Sequence, residues 1–119
     1  MTIKIPGVDA KKGLDLYDGE LDLYLTVLRS YADNIPVVLD KLRKVTAETL
    51  PNYADTVHGI KGASATIAAE EISNAAMKLE NMAMAGDLSG VLAENDFFLK
   101  RADCLLKDIQ KWLEQNYHA

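Results

Sequence analysis

Residues Tyr53–Ile67 read Y-A-D-T-V-H-G-I-K-G-A-S-A-T-I. With His58 set at zero and 100° per residue, Tyr53, Val57, Ile60, Ser64 and Ile67 fall between about 180° and 260°. That is one buried stripe on one helix. Ala54, Gly62 and Ala65 lie within about 40° of His58, and Lys61 about 60° away. The imidazole is therefore expected on the face opposite the core, among very small side chains with one cation beside it. Glycine costs a helix interior roughly 1 kcal/mol relative to alanine, so Gly59 and Gly62 are not there for helix stability. They keep the surface around His58 flat.

The same spacing rule extends along the chain in both directions. Residues 1–8 read as an extended lead-in with a Pro6-Gly7 turn signal. Asp9 is an N-cap for a short helix over 9–17, which Asp18-Gly19 breaks. From Leu21 to Val45 the apolar residues recur at steps of one, three or four, without a change of phase at Pro36. This predicts one long helix over 20–46, kinked near Pro36, in preference to a break at 33–35. Thr49 is placed to cap a helix over 50–66, with Pro51 in its first turn. A helix over 69–85 follows, with Glu70 and Glu71 near its positive end and Gly86 as its C′ residue. The last helix covers 88–116, and Glu114 to Ala119 is expected to fray into solvent. No segment alternates with period two and no internal repeat is visible. The expected fold is all-α, an antiparallel four-helix bundle with a short additional N-terminal helix, over a single domain 1–119.

Composition excludes several functions. A net charge of −5 over 119 residues argues against nucleic acid and anionic membrane surfaces as partners. The one cysteine, Cys104, has no internal partner for a disulfide or a C-x-x-C motif and is expected in the core beside Ala102, Leu105 and Leu106. No apolar signal-peptide core and no run of 18 apolar residues occurs, so a cytoplasmic location is expected. Metal chemistry lacks its ligands: Glu-x-x-His is absent around His58, and His118, the other histidine, lies in the tail. Ser64 belongs to the buried stripe, about 120° from His58, which argues against acyl transfer. No glycine-rich phosphate loop follows a strand, so ATP has no visible site. A surface histidine with no task accounts for the spacing as simply as any chemistry does. Histidine as a nucleophile toward phosphorus accounts in addition for Lys61, which would screen the phosphoryl charge, and for the small residues, which would let another protein's active site descend onto His58.

H-G-I-K-G-A-S-A-T-I-A-A-E-E-I resembles the signature of histidine-containing phosphotransfer (Hpt) domains, with His58, Ile60, Lys61, Gly62, Ala63, Ser64, Ile67, Ala69 and Ile72 at matching spacing. Gly13, Leu14 and Tyr24 match the usual lead-in, and Ala76, Leu79, Glu80 and Gly86 the helix after the histidine. The likeness covers about residues 3–113. One departure is Ala68, where the family usually has glycine. The resemblance implies a phosphorelay intermediate without kinase activity, taking a phosphoryl group from a receiver-domain aspartate and passing it to another receiver. It implies His58 as the phosphorylated nucleophile, Lys61 as the charge-stabilising neighbour, and Gly62 as the residue that leaves room for the incoming loop. Ala54 and Ala65 join Gly62 in the expected docking patch. Receivers of response regulators or hybrid kinases are the expected partners, with no cofactor of the chain's own, any divalent metal supplied by the receiver, and a monomeric state. The alternative is a helical docking or adaptor module that binds a receiver or kinase without carrying phosphate.

Overall fold

Five helices and no strands make up residues 2–117, the part of the chain described by the computed structural model. They are α1 (Ala10–Leu16), α2 (Leu21–Asp40), α3 (Leu50–Thr66), α4 (Glu70–Met84) and α5 (Leu88–Asn116). The long helices α2 to α5 form the bundle, α3 packing chiefly on α4, and α1 lies against α2. The stripes named from spacing meet inside it: Tyr24, Leu28 and Leu39 of α2, Val57 and Ile60 of α3, Ala76 and Leu79 of α4, and Ile109 and Leu113 of α5 are closed to solvent. Among the described residues no helix is long and apolar enough to cross a membrane.

Three helices stop in the same way. Asp18, Ala68 and Gly86 take positive φ just after α1, α3 and α4. In each case the next amide reaches back to the third-last helical carbonyl: Gly19 to Leu14, Ala69 to Ser64 and Asp87 to Met82. Ala68, with φ 60°, therefore carries a strain that glycine would not. The turn is held from outside. Asp9 N–H donates to the Ala68 carbonyl at 3.0 Å, Tyr17 Oη to Thr66 O at 2.7 Å and Tyr24 Oη to Ile67 O at 2.9 Å. The N-terminal residues thus satisfy three successive carbonyls at the end of the histidine helix. Burial pushes the Tyr24 hydroxyl up to about 12, so it stays a donor. Gly13 makes this possible: a Cβ there would stand 2.4 Å from the Tyr24 ring.

Some expectations need correction. α2 ends at Asp40, not 46, and residues 41–44 turn. Leu42 is fully buried and Val45 partly so, so the apolar stripe continues where the helix does not. Three-residue spacing fits a turn as well as a helix, and the Leu42 carbonyl takes its hydrogen bond from Asn95 Nδ2 at 2.7 Å instead. Pro36 lies inside α2. Thr49 makes no side-chain cap bond to α3; its hydroxyl exchanges hydrogen bonds with Thr46. Cys104 is exposed, because it lies on the solvent side of α5 between buried Ala102 and Leu105. Glu114–Asn116 remain helical and Tyr117 packs on the core, so the fraying does not begin at Glu114. Met1, His118 and Ala119, and with them the tail position given to the second histidine, lie outside the described residues.

Candidate functional site

α3 presents His58 outward. Its stripe of Tyr53, Val57, Ile60 and Ser64 is buried, which turns the imidazole away from the core and leaves its side chain 64 % exposed. Ser64 is occupied as a structural group, sharing a 2.8 Å hydrogen bond with Tyr31 Oη. The register of α3 against α4 is fixed close to the histidine, where Ser73 Oγ donates to the Lys61 carbonyl at 3.0 Å.

The residue that the spacing argument missed is Glu80. It projects from α4 with its side chain 12 % exposed, one oxygen on His58 Nδ1 at 2.6 Å and the other on Lys61 Nζ at 2.8 Å. The Lys61 ammonium, and after it the His58 ring, hold the Glu80 carboxyl below its ordinary value against the opposing effect of burial. Glu80 is therefore a carboxylate at neutral pH and can only accept. Nδ1 must donate to it, which puts the lone pair of the neutral ring on Nε2. The geometry prepares one nitrogen of a ring that is largely exposed. Lys61, expected as a cation beside the ring, is engaged by Glu80. A wheel of α3 cannot reveal this, since Glu80 lies 22 residues away on another helix; the family resemblance marks it as a matching position on the helix after the histidine, without its contacts.

Because the Glu80 carboxyl is lowered, its ion pairs stabilise the fold above the ordinary glutamate value of about 4.3 and are lost as pH falls below it. Acid titration of the unfolding midpoint should therefore fall more steeply below about pH 4.3 in the native protein than in Glu80→Gln. Parallel curves would show that the bridge adds nothing to stability.

The small residues divide into two groups. Gly62 and Ala65 are exposed, as expected. Ala54 is nearly closed off, at 9 % exposed, so it belongs to the edge of the core and not to the open patch. A wheel gives direction but not the depth of the neighbouring helices. A Cβ added at Gly59 or Gly62 would meet nothing within 4 Å. Unlike Gly13, neither glycine is required by packing among the described residues. Gly59→Ala and Gly62→Ala should each raise stability by about 1 kcal/mol, read as a higher denaturation midpoint at an unchanged m-value. A loss of stability would mean that the fold itself needs these glycines.

A family model described as Hpt domain matches residues 26–115. Comparison with curated proteins and with solved structures found no match.

Proposed function

The chain belongs to the Hpt-domain family, whose members are phosphocarriers of two-component phosphorelays, and from that premise we propose that His58 is its phosphoryl-accepting residue. The observation that carries this is the largely exposed imidazole with Nδ1 engaged by Glu80, which leaves Nε2 to carry the lone pair. Nε2 of the neutral ring attacks the phosphorus of a receiver's aspartyl phosphate. The N–P bond forms as the P–O bond to the aspartate breaks, and that electron pair returns to the carboxylate. The ring, still carrying its Nδ1 proton, becomes a cation held against Glu80. Transfer onward reverses these steps and restores neutral imidazole without a proton entering or leaving the ring. Lys61 steadies Glu80 and adds positive charge near the phosphoryl oxygens. The chain supplies no cofactor; a divalent metal would come with the receiver.

The test is transfer from a phosphorylated receiver domain. Label should pass to the chain as an acid-labile, base-stable adduct. A stable complex without transfer would favour the adaptor alternative instead. Access is tested separately by Gly62→Gln, which sets a long side chain into the open space beside His58. It should slow transfer by about tenfold or more at unchanged helical content, because misplacing donor and acceptor by an ångström is already costly. An unaltered rate would refute the steric role of Gly62.

A further inference from the structure

α5 carries two successive phenylalanines, and the 100° turn between them keeps one from sharing the core with the other. Phe98 is buried, whereas Phe97 is 69 % exposed. Phe97 borders a groove of about 400 Å³ between α4 and α5, lined also by Ile72, Ala75 and Leu79. Two ion pairs bridge the groove, Lys78 with Glu94 at 2.8 Å and Arg101 with Glu71.

We propose that this face joins two copies of the chain, α5 packing antiparallel on α5 about a two-fold axis that passes between the Phe97 rings. The charges around Phe97 carry the argument. On the helical wheel Glu94 and Arg101 lie about 60° and 40° from Phe97 on the α4 flank, and Lys100 and Asp96 about 60° and 100° away on the other. A parallel pairing would set Arg101 beside Lys100 and Glu94 beside Asp96 of the second copy, like charge against like. The antiparallel one sets each Glu94 within about one residue's rise of Arg101 of the second copy, on the same flank. On the other flank it brings Lys100 within about two residues' rise of Asp96 of the second copy. Lys100 and Asp96 have no ion-pair partner among the described residues, so these charges are available.

The helices would overlap from Leu88 to Leu106, about 27 Å. That length, with the adjoining α4 groove, covers roughly 1,000 Å², at the low end of specific interfaces. The dimer is therefore weak, dissociating at roughly 10–100 µM, and replaces the monomer expected from sequence. Glu80 lies about 80° or more around α4 from Ile72, Ala75 and Leu79, so both copies keep His58 open.

Sedimentation equilibrium of the whole chain from about 10 µM to 1 mM should show a reversible monomer–dimer equilibrium. Phe97→Asp should be monomeric throughout, with unchanged circular dichroism and unchanged phosphoryl uptake per chain. Lys100→Glu, which sets acid against Asp96, should weaken the dimer about tenfold or more. The double swap Asp96→Lys with Lys100→Glu should bring it back to within about threefold of the native value. A native chain that is monomeric at 1 mM overturns the proposal and leaves the groove to a different protein. Undiminished dimerisation of Phe97→Asp, or no rescue in a folded double swap, overturns it equally by placing the contact elsewhere.

Discussion

A His58→Gln protein should take up no acid-labile label from a phosphorylated receiver, while its unfolding midpoint stays close to native. The imidazole is largely exposed, and its hydrogen-bond partner is Glu80, which retains Lys61 when the ring is gone. Removing it leaves no cavity. A carboxamide has the reach of the ring but no basic nitrogen lone pair, so the bond to phosphorus cannot form. Glu80→Gln provides the contrast. The amide oxygen can still accept from Nδ1, but the negative charge that balances the phosphorylated ring is lost. Acceptance should slow by about ten- to a hundredfold without disappearing, the usual worth of a hydrogen bond to a charged group. Uptake by His58→Gln at the native rate would move the phosphoryl site to another residue. Full speed in Glu80→Gln would mean that the phosphorylated ring needs no negative charge beside it.

Asn95→Ala should produce the largest loss of stability. Asn95 is buried on α5, accepting from Tyr53 Oη at 2.8 Å and donating to the Leu42 carbonyl at 2.7 Å. Alanine leaves two buried partners without a bond, each costing about 1–3 kcal/mol. The expected total is about 3–4 kcal/mol, or a fall of about 10 °C in the melting temperature for a chain of this size. Tyr53 cannot escape by ionising, since burial pushes its hydroxyl well above the ordinary value. Tyr53→Phe should make Asn95→Ala less costly than in the native background, because one orphan has already been removed. A cost below about 1 kcal/mol would mean that water or local relaxation replaces both bonds. The site should respond indirectly, because Tyr53 stands on the same helix as His58, just over one turn away.

The sequence by itself determined the helices, their buried faces and the exposure of His58. These follow from a 3.6-residue period, which apolar burial imposes on every amphipathic helix and which survives in the order of residues. It also singled out Gly59 and Gly62 as costly within α3, a cost that no contact among the described residues requires. Only the tertiary structure decided where α2 ends, because the Leu42 carbonyl is satisfied by a side chain 53 residues away and the apolar spacing continues past the last helical bond. The same holds for Ala54, closed off although its wheel angle resembles that of Ala65, and for Cys104, exposed within an apolar run. It holds above all for Glu80, which fixes the proton on His58 Nδ1 and diverts Lys61. Periodicity records the direction in which a side chain leaves its own helix. What it meets there depends on the register between helices, and that is set by packing across the bundle.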